Sequence, residues 1–394
     1  MKILVICQYY YPEPFRITDI CEELVKRGNE VFVITGQPNY PMGKIYEGYK
    51  GKNHKDENIN GVKIRRCFTV ARGNGIIKRF LNYYSFAFFS SRYVSRIKEE
   101  FDVVFVNQLS PVMMAKAGIK YKKKHGKKVF LYSLDLWPES LTAGGIKRGS
   151  KIYSYYHCVS EKIYKSADMI GITSKSFAEY FEKDFGITGT KYLPQYSEEI
   201  FNPEICKKEP NGYIDLMFAG NIGVMQDIDT IIEASRLTAD IKNLRWHIVG
   251  DGSELERLKE SARDCKNIIF HGRQPLEKMP EYYAMADAML VTLKDDPTIS
   301  LTLPGKVQTY MAAGKPIIGA INGETALVLE DAGCGYCVQA SASDELAENV
   351  RAFIKDNNTI RFSKNAFEYY KNNYSKSSFY ERLNQIFNEL ENEN

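Results

Sequence analysis

Two doubly wound α/β domains are predicted by three features of this sequence. Short runs too apolar to be half exposed recur along it, as in parallel sheets covered on both faces. Stretches of helical periodicity separate most of those runs, which is the alternation of βαβ units. Between two such series, residues 197–211 contain Pro203 and Pro210 and no periodicity, which marks a domain boundary.

The first run is Lys2–Gln8, bounded by Tyr-Pro residues. A helical pattern over Ile17–Lys26 is ended by Gly28, and Val31–Thr35 completes a βαβ unit. Strands are expected next at Val62–Val70, Asp102–Asn107, Lys128–Leu134 and Met169–Thr173, with Tyr192–Tyr196 closing this half. The second series opens at Tyr213–Ala219 and continues at Leu244–Val249, Asn267–His271, Ala288–Leu293 and Pro316–Ile321. Helices are expected between them at Asp227–Leu237, Ser253–Arg263, Pro280–Ala286 and Gly305–Ala313, then at Leu346–Asp356 and Ser375–Glu391. The expected division is 1–200, 201–374, and a last helix over 375–394 that packs back on the N-terminal domain. In open α/β sheets ligands bind outside the carboxyl ends of the strands, so two such sheets facing each other place the site in the cleft between them.

Hydrophobic residues make up 44% of the 394 and charged residues 26%, which excludes a disordered, collagenous or membrane-spanning chain. The net charge of +4 hides an asymmetry. Residues 1–200 hold 32 Lys and Arg against 20 Asp and Glu, so the N-terminal half is +12 and the remainder −8. A basic half of this kind is expected to meet something acidic. Met1–Val5 runs straight into a strand, so no signal peptide is expected and the cytoplasm is the default compartment. Cys334 and Cys337 form a lone C-x-x-C; with no second pair and no helix opening on it, both read as small buried apolar residues.

Ile76–Phe101 mixes aromatic and aliphatic residues with Lys78, Arg79, Arg92, Arg96 and Lys98. It is too interrupted to span a bilayer. It reads either as a helix lying in a membrane interface or as a crossover helix packed on its sheet. Lys116, Lys120, Lys122, Lys123, Lys124, Lys127 and Lys128 cluster within the next helix and its exit; this is an attraction for an anionic leaflet, or a solvated face. No nucleic-acid motif is present, and nucleic acid is not an expected partner.

The chemistry-bearing constellation lies in the C-terminal half. Gly220-Asn221-Ile222-Gly223 ends its first strand, and glycines there let the backbone approach an anion. Leu303-Pro304-Gly305-Lys306 opens a helix that ends in Met311-Ala312-Ala313-Gly314-Lys315-Pro316. The unpaired amides of that helix start, with the charge of Lys306 beside them, suit a diphosphate. Gly250 and Gly272, the latter followed by Arg273 and Gln274, supply further turns at strand ends. No histidine, cysteine or carboxylate spacing reads as a metal site, and no metal or other cofactor is expected.

As a set these motifs resemble the donor domain of GT-B glycosyltransferases, family 4 of the retaining nucleotide-sugar transferases. The N-terminal half agrees through Tyr10-Tyr11-Pro12-Glu13-Pro14, Arg27-Gly28-Asn29-Glu30-Val31, Thr35–Gly43 and Asp135-Leu136-Trp137-Pro138-Glu139-Ser140. These last are similar to a subgroup serving bacterial O-antigen, capsule and colanic acid assembly, including N-acetylfucosamine transferases. The resemblance covers almost the whole chain. Where the family carries an Arg and a Lys after the first C-terminal strand, this chain has Asn221 and Gln226; its two glutamates eight apart become Leu301 and Thr309, and the histidine before the N-domain aspartate becomes Leu134.

The resemblance implies a GT-B fold and a transfer, nominally retaining, from a UDP-sugar, an N-acetylated hexosamine or deoxyhexosamine. The base is expected at Gly272, Arg273 and Gln274, with Gly250 nearby, and the diphosphate at Gly220, Asn221, Gly223, Leu303, Pro304, Gly305 and Lys306. Arg16 is expected to contribute across the cleft, and Thr309 or Glu324 to hold the ribose. Asp135 is the candidate base or orienting acceptor for the acceptor hydroxyl, with Glu139 as the alternative carboxylate; the other reading of Asp135 is an N-cap of the following turn. The acceptor implied is a polyprenyl-diphosphate-linked saccharide, met by a cytoplasmic protein held peripherally on the anionic inner face of the membrane. A UDP-sugar 2-epimerase and an inactive membrane-associated partner of an assembly complex are the alternatives.

Overall fold

The computed structural model describes residues 1–51, 54–73, 75–356 and 358–392. It divides into two compact units: Met1–Thr173 with Ala178–Tyr192 and Leu383–Asn394, and Ser174–Phe177 with Leu193–Arg382. The change of unit comes at Leu193 rather than at 200–201.

The first unit runs β1 (Lys2–Ile6), α1 (Ile17–Lys26), β2 (Glu30–Thr35), β3 (Asp56–Ile59), β4 (Val62–Arg66), α2 (Ile76–Val94), β5 (Val103–Gln108), α3 (Lys116–His125), β6 (Lys128–Ser133), α4 (Lys151–Tyr164), β7 (Met169–Ile172), α5 (Ser176–Phe185) and β8 (Lys191–Tyr192). Its sheet has the order β3-β4-β2-β1-β5-β6-β7-β8. Ile3 stands between Val31 and Val103, and Ile3–Ile6 are fully buried. This is why β1 reads as an unbroken apolar run. The exception to parallel pairing is β3, antiparallel to β4 at the sheet edge. Sequence reasoning gives no strand there, because Asp56-Glu57-Asn58-Ile59 has no apolar run. Its carboxylates serve instead as partners for Arg65 and Arg66 of β4, and a charged edge also discourages pairing with another chain.

The second unit runs β9 (Ile214–Ala219), α6 (Ile228–Leu237), β10 (Leu244–Val249), α7 (Leu255–Ser261), β11 (Ile268–Gly272), α8 (Met279–Met285), β12 (Ala288–Thr292), α9 (Gly305–Ala312), β13 (Ile317–Ala320), α10 (Glu324–Ala332), β14 (Gly335–Val338), α11 (Ser343–Asp356) and α12 (Thr359–Asn373). Its strands are all parallel in the order β11-β10-β9-β12-β13-β14. The winding reverses between β9 and β12, so the crevice at their carboxyl ends is the topological switch point. Phe218, Trp246, Ile248 and Leu290 belong to the core on this sheet. The edge strand β14 holds the C-x-x-C: Cys334 is buried just before it, Cys337 lies within it, and both thiols are free.

The last helix, α13 (Lys376–Asn392), is shared, its final part from Leu383 belonging to the first unit. There Phe387 meets Phe105 and Phe130 edge-on, with ring centroids 6.0 and 6.2 Å apart. No helix among the described residues is long and apolar enough to cross a membrane.

Candidate functional site

In the second unit the candidate site is built at the carboxyl end of β9. Gly220 follows the strand with φ +151°, and Gly250 follows β10 with φ +146°. The two turns are packed backbone to backbone: a β-carbon at Gly250 would stand 1.8 Å from the Gly220 carbonyl oxygen, and one at Gly252 2.2 Å from that of Ile222. Only glycine fits such an approach. Amide bonds lock the pair, from Gly220 N to the Val249 oxygen and from Ile222 N to the Asp251 oxygen, both 2.9 Å.

The helix α9 is pinned to this turn by Tyr310. Its hydroxyl donates to the Ala219 carbonyl (2.9 Å) and accepts from the Ala219 amide (3.0 Å), wholly buried. One turn earlier, Lys306 reaches the Gly220 turn, where a β-carbon would meet its Nζ at 2.9 Å. The ammonium lies 3.8 Å from the centre of the Phe218 ring and donates to Gln226 Oε1 (2.5 Å). It has no carboxylate partner among the described residues. Desolvation without a counterion pushes Lys306 down to about 7. Gln226 is thus not merely a lost cation. It holds Lys306 through its side chain, and its own carbonyl accepts from Thr292 Oγ1 of β12 (2.6 Å). Sequence reasoning missed this role, because the partners are 80 residues apart.

The other expected donor residues fall around this centre unequally. Asn221 is exposed on the turn, Gly223 and Pro304 are half-buried and Leu303 is buried. Pro304 is the N-cap of α9 and Gly305 its first residue. Thr309 bonds back to its own helix at the Gly305 carbonyl (3.1 Å). Glu324 is committed elsewhere. Its two oxygens accept from the amide of Lys175 and from the amide and hydroxyl of Ser176, in the segment 174–177 that belongs to this unit. Gly272 turns with φ +67° at the end of β11, Arg273 is exposed, and Gln274 donates to the His271 carbonyl (2.7 Å).

Beneath that turn lies a chain the histidine spacing did not reveal. His271 and His247 share a hydrogen bond of 2.8 Å, and His247 meets Asp215 at 2.9 Å. Burial, with the neighbouring His247, lowers the His271 pKa. Among the described residues no cluster of three or more His, Cys, Asp or Glu is placed to hold a metal ion.

In the first unit Asp135 follows β6. Its carboxylate accepts from the hydroxyls of Ser110 and Ser140, the latter at 2.7 Å, and Trp137 Nε1 donates to Ser110 Oγ at 2.7 Å. The N-cap of the turn over Glu139–Gly144 is Pro138, so Asp135 does not cap it. Burial raises the carboxyl of Asp135, against the two hydroxyl bonds. Glu139 is buried and engaged by Tyr153 and Arg148. Arg16 sits at the start of α1. Glu13, which sequence reasoning left without a role, ties two of the N-terminal motifs together. It accepts from the amides of Asn39 (2.8 Å), Tyr40 (2.7 Å) and Tyr10 (3.3 Å), and burial raises its carboxyl to about 7.

Residues 203–372 match the family model described as glycosyl transferases group 1. Over 99% of this chain and all of its relative, the sequence is 25% identical to the glycosyl transferase WcaI of Escherichia coli strain K12, named for colanic acid biosynthesis. Among solved structures, sucrose-phosphate synthase from Thermosynechococcus elongatus superposes with a TM-score of 0.75 at 15% identity, covering 99% of each chain. HepE from Anabaena, in complex with UDP and glucose, does so with 0.69 at 14% identity, covering 98% of this chain and 99% of that one. These likenesses give the fold: both sheets belong to the GT-B architecture.

Proposed function

We propose, from the premise that this chain is a glycosyltransferase carrying a group 1 domain over residues 203–372, that it moves a sugar from a UDP-sugar to a lipid-linked saccharide in bacterial surface polysaccharide synthesis. One observation carries the donor side of this reading: the uncompensated ammonium of Lys306 under the Gly220 turn, at the switch point of the second sheet. A half-buried cation with no carboxylate partner among the described residues suits an anionic ligand. Diphosphate is the anion whose charge grows as the bond to the sugar breaks, so a fixed donor aimed at it lowers the barrier. The UDP bound by HepE and the colanic acid role in WcaI's name support the donor and the pathway class.

In the step proposed, an acceptor hydroxyl oxygen bonds to the anomeric carbon as the bond from that carbon to the diphosphate oxygen breaks. Lys306 and the amides at the start of α9 take up the charge on the departing UDP. Asp135, set by two serine hydroxyls, receives or orients the hydroxyl proton. The transfer is read as retaining, by resemblance. Lys306 and backbone amides supply the positive charge in this scheme, and no resident metal is called on. The sugar is read as an N-acetylated hexosamine or deoxyhexosamine and the acceptor as a polyprenyl-diphosphate-linked saccharide. The enzyme is read as peripheral on the inner face of the membrane.

Calorimetric titration with UDP, GDP and ADP, without and then with magnesium, tests the donor half. Selective binding of UDP without metal is expected, followed by transfer from a UDP-N-acetylhexosamine to a lipid-linked acceptor. Binding of none of the three nucleotides would remove Lys306 and the Gly220 turn from any donor site.

A further inference from the structure

The helix α2 has apolar residues on two faces. Tyr83, Phe86 and Ala87 are buried against the first unit, while Ile77, Leu81, Tyr84 and Phe88, spaced four, three and four residues apart, form one exposed stripe. A surface helix apolar on its outer side as well needs a cover. The stripe does not end with the helix. Phe80 stacks on Tyr156 of α4 with ring centroids 5.9 Å apart, and the hydroxyls of Tyr84 and Tyr156 meet at 3.0 Å. This brings Ile152 and Tyr155 of α4, each more than half exposed, into the same surface. An apolar groove of about 470 Å³ lies between the two helices, with Lys151 on its rim.

Charge decides what covers this surface. Residues 76–94 contain Lys78, Arg79 and Arg92 and residues 145–160 contain Lys147, Arg148 and Lys151, with no carboxylate in either segment. All six are exposed, and among the described residues only Arg148 is drawn to carboxylates, those of Asp184 and Glu139. A second copy of this chain would set these cations against themselves across a two-fold contact. The lysine run of α3 is a poorer candidate. Lys122 and Lys128 pair with Asp168, and Lys124 is tied to the Ile97 carbonyl.

We propose that the α2–α4 surface docks on an anionic lipid bilayer. Ile77, Leu81, Phe88, Ile152 and Tyr155 enter the headgroup–acyl boundary, leaflet chains fill the groove, and the flanking Lys and Arg side chains face lipid phosphate. The purpose of this contact rests on the lipid-linked acceptor read above; its test does not.

Flotation of the full chain with vesicles of phosphatidylcholine alone, and of equal parts phosphatidylcholine and phosphatidylglycerol, separates the outcomes. The protein is expected to float with the anionic vesicles and not with the neutral ones. The exposed double substitution Leu81→Glu/Phe88→Glu should weaken that binding by about tenfold or more, and Lys78→Glu or Lys151→Glu by about fivefold each. Far-UV circular dichroism and a thermal melt that match wild type in all of them report that they are folded. Absence of flotation with anionic vesicles overturns the proposal, as does equal flotation of the double variant. Concentration-dependent self-association that the double variant abolishes, without vesicle binding, would assign the surface to a second copy. Sugar transfer to a water-soluble acceptor analogue with no flotation would sink this proposal and leave the transferase reading standing.

Discussion

At the scale of single residues, Lys306 and Asp135 have opposite environments and each predicts its own signature. Desolvation alone holds the Lys306 pKa down to about 7. A bound diphosphate favours the charged form, so its pKa must rise in the complex and protein must take up a proton on binding near neutrality. UDP affinity is therefore greatest below about 7 and falls as pH rises through that value. Titration across it should show the fall. Lys306→Ala should flatten it and lower turnover by about 100-fold; turnover within threefold of wild type would remove Lys306 from the reaction. Asp135→Asn keeps the size and one acceptor oxygen for the serine hydroxyls but cannot take a proton. It should bind UDP as the wild type does and lose transfer by about 100-fold or more. Equal activity would reassign the base.

Two loops set the geometry at the scale of elements. Gly250→Ala must displace the Gly220 turn, because the new carbon would lie 1.8 Å from its carbonyl oxygen and the φ of +146° is itself strained for alanine. UDP affinity should drop by at least about tenfold, with a lowered melting temperature, both measurable on one preparation. In the first unit Glu13 joins the Tyr10–Pro14 segment to the loop at Asn39 and Tyr40. Its carboxyl titrates near 7 when folded and near 4.5 when unfolded, so the folded state holds the proton more tightly. That contribution to stability is fully present below 4.5 and is lost as pH rises through 7, a change of about 3 kcal/mol at most. Denaturant unfolding at several pH values should show this slope in the wild type and a flatter one in Glu13→Gln, whose amide does not titrate. An unchanged slope would mean that Glu13 is ionised in the folded protein.

At the scale of the whole molecule the chain ends where it began. After the second unit is complete, the last part of α13 returns to the first unit, and Phe387, 1% exposed, fills the space beside Phe105 and Phe130. Phe387→Ala should destabilise the first unit by about 3–5 kcal/mol through the cavity it leaves. Below the unfolding transition, UDP binding should be unaltered, since the candidate donor residues lie in the second unit. A denaturation midpoint equal to that of wild type would show that the tail contributes no core.

Much of this was legible from local chemistry. Apolar runs and helical periodicity are set by neighbouring residues, so the sequence by itself specified two α/β series, the glycine turns at the ends of β9, β10 and β11, and a helix opening at Pro304-Gly305-Lys306. Local chemistry also misled where tertiary position overrode it. Asp56–Ile59 looks like a loop and is a strand because it lies at a charged edge beside Arg65 and Arg66. Gln226 reads as a missing cation and in the fold is the partner of Lys306. Glu324, one of two residues with Thr309 read as able to hold the ribose, accepts with both oxygens from Lys175 and Ser176. The lysines of α3 and its exit form a run in the chain, but Lys122 and Lys128 are tied to Asp168 and Lys124 to Ile97. Which polar groups meet is decided by hydrogen bonds between residues far apart in sequence, and neither periodicity nor turn composition encodes those pairings. Only the packed fold, which must satisfy each buried donor and acceptor, chooses them.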